Sequence, residues 1–309
     1  MIDAWIVLLV SLAVLGRAAH LVIDRSIKLA KFFGVSDMAV GFILLAVATS
    51  LPEFFISVIA SFENQPGISI GNVLGANLMD IGIILGLPLL FTRIAMKGKE
   101  KKNLERLLIA ITLIPLLLIL NLEPLTGLIL MSLFAVYAYS VLRDKMSIDG
   151  VEKVTRKEAS KSALMFFIGV LLLVGSSKYA VESAVEVASL LGVSRLLIAS
   201  TVISMGTTLP ELAVSIAAVK RKRPALAVGN AIGSCMTNLT LVLGTSRLIN
   251  PHMLNNLASV SNLIIFQAVM SIVLLGFLRR GKDIGRKQGF ILILIYLFSL
   301  ASSIILEFL

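Results

Sequence analysis

A single cysteine, Cys235, stands in 309 residues, so no intrachain disulfide can form. Histidine is nearly as scarce. His20 and His252 lie far from any acidic motif, which leaves no nitrogen and sulfur ligands spaced to hold zinc or copper. No H-E-x-x-H pattern occurs and no Ser–His pair is placed to share a site, so an enzyme is not expected. Charge is short as well: 15% of the residues are Asp, Glu, Lys or Arg, where a soluble domain carries about a quarter. The start of the chain lacks the basic region of a cleavable signal, with Asp3 in its place, so the first apolar run is expected to persist as a helix.

What fills the chain is apolar surface: 58% of the residues are hydrophobic and the mean hydropathy is +0.98. Such a chain cannot cover itself with polar groups and requires lipid around it. A membrane-crossing helix needs roughly 20 apolar residues. Ten runs qualify, near 4–30, 37–61, 68–92, 104–121, 125–142, 162–190, 195–219, 225–248, 257–278 and 288–308. The expected fold is an all-α integral membrane protein of ten transmembrane helices.

The net charge of +10 could suggest a nucleic-acid partner, but its placement excludes one. Of the 28 basic residues, 24 fall in alternate loops, in clusters such as Lys97–Arg106 and Lys220–Arg223. The opposite loops at 63–67, 121–124 and 250–256 hold none. Basic loops stay in the cytoplasm, so both termini are expected outside. Residues 143–161, RDKMSIDGVEKVTRKEASK, form a cytoplasmic linker between two five-helix halves, 1–142 and 162–309.

The halves contain a repeat. Residues 34–86 and 192–244 align without a gap at an offset of 158, with 15 identities in 53 positions. The identities cluster on polar, Pro and Gly positions. Thr49, Leu51, Pro52 and Glu53 match Thr207, Leu209, Pro210 and Glu211; Gly71, Asn72 and Gly75 match Gly229, Asn230 and Gly233. The repeats extend over 34–91 and 192–249. Five helices per half is an odd number, so the copies enter the membrane from opposite sides, which is an inverted-repeat transporter plan with its site near the midplane.

The chemistry lies inside the apolar runs. Glu53 and Glu211 each sit about midway along one, and Asp80 lies in the next run after Glu53. A charge at that depth costs about 2.5–3.5 kcal/mol on insertion scales, so these acids are protonated or hold cations. Pro52 and Pro210 have no N–H for the carbonyls four residues back, Ala48 and Gly206, and the helices are expected to break there. Each motif then offers carbonyls, hydroxyls and a carboxylate together. Asn72, Ala76 and Asp80 share a helix face, matched by Asn230, Ser234 and Asn238. An all-oxygen set suits hard cations, and a flexible one with several carboxylates favours calcium over magnesium. Sodium and protons are natural coupling ions for the same oxygens. Cys235 reads as a small packing residue.

The segments ATSLPE (48–53) with GNVLGANLMD (71–80), and GTTLPE (206–211) with GNAIGSCMTN (229–238), resemble the two α-repeats of the sodium/calcium exchangers, in the calcium/cation antiporter superfamily. The resemblance implies exchange of sodium for calcium across a plasma membrane by alternating access, with no cofactor beyond the transported ions, and a monomer is expected. It implies that Glu53 and Glu211 bind calcium, with the carbonyls of Thr49 and Thr207. Ser50 and the Ala46 carbonyl would line one sodium site, and Thr208, Ser234 and the Ser204 carbonyl its mate. Asp80 and Asn238 would flank the centre. Family members carry an amide in the first repeat and an acid in the second at these two positions; here Asp80 and Asn238 reverse that order. Ala76 also stands where a serine is expected opposite Ser234. The alternatives are a proton-coupled exchanger of calcium or another divalent cation and, further off, a cation channel.

Overall fold

The computed structural model describes residues 2–95, 98–119, 125–143, 154–190, 204–251, 258–281 and 283–307. Most of the linker (144–153), the start of the second repeat (192–203), the 121–124 loop and residues 252–257 lie outside the described residues.

The described residues are helical nearly throughout. α1 (Ile2–Phe33) is followed by a bent pair, α2 (Asp37–Thr49) and α3 (Leu51–Phe62), which meet at 47°. α4 runs through Pro66–Met79, a π-helical stretch Asp80–Leu85 and Gly86–Leu89. Then come α5 (Gly98–Ile119), α6 (Leu125–Arg143) and α7 (Arg156–Leu190). A second broken helix follows, α8 (Ser204–Thr207) and α9 (Leu209–Lys220). α10 joins Pro224–Thr237, the π stretch Asn238–Val242 and Leu243–Ile249. α11 (Ala258–Arg280) and α12 (Arg286–Glu307) complete the described helices. By length and composition five of these helices can cross a membrane, and six with the bent pair counted as one span.

The molecule is built for lipid. Large apolar side chains such as Val10, Phe55, Phe62, Leu171, Leu294 and Phe298 face outward, while Glu53, Asp80 and Glu211 are buried. In water such an apolar surface would be a liability; in a bilayer it is the solvent-facing side. The two helices that carry the Gly-Asn motifs lie at the centre: the apolar window of α10 is 94% buried and that of α4 72%, against 33% for α1.

Close packing at that centre depends on glycine. A Cβ on Gly41 would meet the Leu226 carbonyl at 2.7 Å and the Gly229 Cα at 2.8 Å. One on Gly233 would meet the backbone of Phe42. α2 and α10 therefore touch backbone to backbone, the small-residue contact that the GNAIG pattern suggests. The stretch that the repeat offset would set against Gly71 and Gly75 lies mostly outside the described residues.

At the periphery α1 lies along α7, and Gly169 leaves room for Val22. An apolar crevice of about 260 Å³ separates α1 from α9, lined by Leu12, Leu15 and Gly16 on one side and Leu209 and Leu212 on the other. One basic loop is pinned by Arg221 to Asp24 (2.7 Å) and by Arg223 to Asp37 (2.9 Å). A short antiparallel pairing, β1 (Ile94–Ala95) with β2 (Asp283–Ile284), joins the loops after α4 and α11.

Candidate functional site

The prolines act where the sequence places them. α2 stops at Thr49, and Ser50 takes φ −79° and ψ 10° before α3 begins. Thr208 takes φ −92° and ψ 4° between α8 and α9. Both torsions fall in the sparsely populated bridge region, where helices break and functional residues gather. The chain restarts identically on each side: the Phe54 N–H donates to the Ser50 carbonyl at 3.0 Å and the Leu212 N–H to the Thr208 carbonyl at 3.1 Å. The Gly206 carbonyl, which Pro210 cannot satisfy, accepts from the Ser177 hydroxyl of α7 at 3.0 Å. The Ala46 carbonyl accepts from the Ser50 N–H at 3.0 Å.

Glu53 and Glu211 thus occupy the first turns of α3 and α9. The positive end of a helix dipole favours a carboxylate there. Both glutamates are buried, at 0% and 1% exposure, and Asp80 is buried at 1%. Neither carboxylate oxygen of Glu53 has a hydrogen-bond partner, nor do Oε2 of Glu211, Oδ1 of Asp80 or Oδ1 of Asn238. The hydroxyls of Ser50, Ser234 and Thr237 are equally unpartnered. Buried oxygens without donors are costly, and these belong to the residues singled out from the sequence, with Thr237 added. The three acids lie within electrostatic reach of one another. The two halves cross: the Thr207 side chain lies beside the Glu53 carboxyl and the Thr49 side chain beside that of Glu211. Among the described residues no three His, Cys, Asp or Glu side chains form a closed metal cage. The acids are instead interleaved with hydroxyls and amides.

The asparagines of the Gly-Asn motifs brace the broken helices. Asn72 Nδ2 donates to the Glu53 carbonyl at 3.1 Å and to Ser57 Oγ at 2.9 Å. Asn230 Nδ2 repeats this toward the Glu211 carbonyl and Ser215 Oγ, each at 3.3 Å. The Thr49 hydroxyl can donate to the Leu45 carbonyl at 3.0 Å or to Asn230 Oδ1 at 3.2 Å. The matched residues Asp80 and Asn238 each open a π-helical stretch. Such stretches concentrate at functional sites because they redirect side chains and free carbonyls. A third one, Gly41–Leu45, includes Phe42, whose carbonyl accepts from Tyr137 Oη at 2.5 Å.

Not every expected ligand is equally placed. The Thr208 hydroxyl lies 2.8 Å from Met79 Sδ. Ser204 opens α8, so its backbone is helical. Ala76 is buried and brings no polar atom to its side of the centre.

Four contributors escaped the sequence reading. Asn77 Nδ2 faces the Cys235 carbonyl and Gln267 Oε1, each at 3.4 Å, and its Oδ1 accepts from Asn238 Nδ2 at 3.2 Å. Cys235 Sγ lies 3.8 Å from Asp80 Oδ2 and 3.7 Å from the Asn77 carbonyl. Gln267 Nε2 donates to the Ile111 carbonyl at 3.1 Å. Thr237 is buried beside Asn238 with its hydroxyl unpartnered. A signal for Gln267 did exist: it is a lone amide in an apolar run, and polar groups at that depth link helices.

Comparison with known proteins places the whole chain among relatives. The sodium/calcium exchanger protein family matches residues 3–143 and 161–305. A membrane protein of Methanocaldococcus jannaschii is 31% identical over 277 residues, 89% of each chain. The sodium/calcium exchanger MaX1 of Methanosarcina acetivorans is 28% identical, covering 94% of this chain and 96% of its own. The solved structure of the sodium-calcium exchanger NCX_Mj, soaked in sodium without calcium, superposes with a TM-score of 0.85 at 27% identity, over 97% of this chain and 99% of that one.

Proposed function

The chain belongs to the sodium/calcium exchanger family, and on that premise we propose that it exchanges sodium for calcium across a plasma membrane by alternating access. The observation that carries this reading is the pair of buried glutamates, Glu53 and Glu211, each in the first turn of a broken helix and each with oxygen atoms that no protein donor satisfies. A calcium ion is a strong partner for such oxygens, and several carboxylates in a flexible setting suit it.

In this reading Glu53 and Glu211 hold calcium together with the carbonyls of Thr49 and Thr207. Ser50 and the Ala46 carbonyl take one sodium ion; Thr208, Ser234 and the Ser204 carbonyl take another. Asp80 and Asn238 flank the centre. Calcium and sodium compete for the same carboxylates, so occupancy couples the two fluxes. Ten spans in two inverted halves, 1–142 and 162–309, place the broken helices head to head. The basic loops and the 143–161 linker face the cytoplasm, with both termini outside. One chain supplies both halves of the site, so a monomer suffices. The apolar crevice between α1 and α9 supports a movement of the α1–α7 pair against the broken helices.

The test is purified protein in sealed liposomes. Calcium uptake should follow an imposed outward sodium gradient and vanish in Glu53→Gln and in Glu211→Gln. Uptake that follows a pH gradient and ignores sodium would replace this reading with a proton-coupled exchanger. Ala76, which removes a hydroxyl opposite Ser234, is the feature favouring that second reading. Passive flux without counter-ion dependence would point to a channel.

A further inference from the structure

Asn238 is an amide at the position that the repeat matches to Asp80, and an amide can present either an oxygen or an N–H. Which one it presents decides whether the position attracts or repels a cation. Side-chain amide orientations are assigned from their partners, and here the partners leave one solution. Pro115, inside α5, has no N–H to give the Ile111 carbonyl four residues back. That carbonyl accepts from Gln267 at 3.1 Å, and a carbonyl can only accept, so Gln267 must turn its nitrogen toward it. The Gln267 oxygen then faces Asn77, which must present its nitrogen, 3.4 Å away. The Cys235 carbonyl, also 3.4 Å from Asn77 Nδ2, imposes the same orientation independently. Asn77 therefore turns its oxygen to Asn238, whose nitrogen donates to it at 3.2 Å. The oxygen left over on Asn238 is buried and has no protein donor.

We propose that Gln267 and Asn77 are positioning residues: anchored on the carbonyl freed by Pro115, they hold the Asn238 side chain with its oxygen, not its N–H, left open to a cation and thereby set how tightly the site binds it. The inference rests on the exchange reading above. It assigns a role to residues outside the ligand set, drawn from α4, α5 and α11. It also accounts for the inverted order of Asp80 and Asn238. Across the centre, Asp80 faces the thiol of Cys235, a weak donor suited to a carboxylate, whereas Asn238 faces the oxygen of Asn77, an acceptor that a carboxylate at position 238 would meet with repulsion.

The experiment measures radiocalcium binding to purified protein at equilibrium, and the calcium dependence of uptake in liposomes, for the wild type and Gln267→Leu. Supporting partners of this kind change metal affinity by about 10–100-fold. Gln267→Leu should raise the half-saturating calcium concentration by roughly tenfold or more, in binding and in uptake alike, with the maximal rate little changed. Gln267→Glu, which when protonated keeps both the donor and the acceptor, should recover most of the affinity. A folded Gln267→Leu protein with unaltered calcium affinity would overturn the proposal. Should that variant not fold, Asn77→Ala carries the test. It breaks the same relay one link nearer Asn238, so it should weaken calcium binding in the same direction, and unchanged binding would be equally decisive against the proposal. Wild-type protein that binds no calcium would instead defeat the exchange reading itself, a distinguishable result.

Discussion

Asn77 and Cys235 touch reciprocally across the centre of the molecule: the Asn77 side chain donates to the Cys235 carbonyl at 3.4 Å, and the Cys235 thiol lies 3.7 Å from the Asn77 carbonyl. They are 158 residues apart, the offset that aligns the two repeats. Equivalent positions that meet each other mark the place where two copies of a unit face, and Asp80 lies beside that place. Cys235 is fully buried. Its thiol should resist a membrane-permeant maleimide in the folded protein and react on denaturation, because reactivity requires access to the thiolate. Mass spectrometry after timed labelling checks this. Labelling of the native protein within minutes would mean that α4 and α10 part at their crossing.

Asp80 has one oxygen beside the Cys235 thiol and another with no partner. Its free oxygen is the one that the exchange reading offers to a cation. Asp80→Asn removes the charge and keeps the shape. Calcium affinity should fall by about tenfold or more, roughly 1.4 kcal/mol, measured as the shift in half-saturating calcium during sodium-driven uptake. Unchanged uptake would remove Asp80 from the site.

Much of this was legible in the sequence, for local reasons. Pro52 and Pro210 announce helix breaks because a missing N–H acts on the same turn of chain, and the breaks fall at Ser50 and Thr208. The carbonyl freed by Pro210, that of Gly206, does not stay open as the sequence suggested: it accepts from Ser177 of another helix. Glu53, Glu211 and Asp80 declare themselves because an acid in an apolar run needs a reason. The braces were not legible. Tyr137 reaches Phe42 across 95 residues and Gln267 reaches Asn77 across 190, and no spacing rule spans such separations. The π-helical stretches at Asp80 and Asn238 were equally hidden, since one inserted residue per turn hardly alters the apolar pattern. Cys235 read as packing, and packing is half of what it does.

The contact between α2 and α10 should be intolerant of a single methyl group. A Cβ on Gly41 would meet only backbone atoms, at 2.7–2.9 Å, and backbone cannot rotate away. Overpacking of this kind costs about 1–3 kcal/mol. Gly41→Ala should therefore lower the melting temperature in detergent by several degrees, whereas Gly16→Ala, whose Cβ meets nothing within 4 Å, should leave it level or raise it. Equal effects of the two substitutions would show that the helices are not in backbone contact.

Glu100, in the first turn of α5 outside the apolar run, supplies a pH dependence. Partial burial raises its carboxyl above the usual 4.5, and Asp37 nearby pushes in the same direction. A carboxyl raised by folding favours the folded protein while protonated. That advantage is complete at pH below the unfolded value and is lost as pH rises through the folded one. At neutral pH the ionised group is therefore a liability that Glu100→Gln should remove. The variant should melt higher than the wild type at pH 7, by a small margin because the site is half open to solvent, and the difference should close as the pH falls below 4.5. Adding Asp37→Asn should shrink the gain at pH 7, since part of the liability is repulsion between the two acids. A variant that melts lower than the wild type at pH 7 would mean that basic neighbours such as Lys101, whose ammonium reaches the Gly281 carbonyl at 3.3 Å, outweigh Asp37 in the folded state.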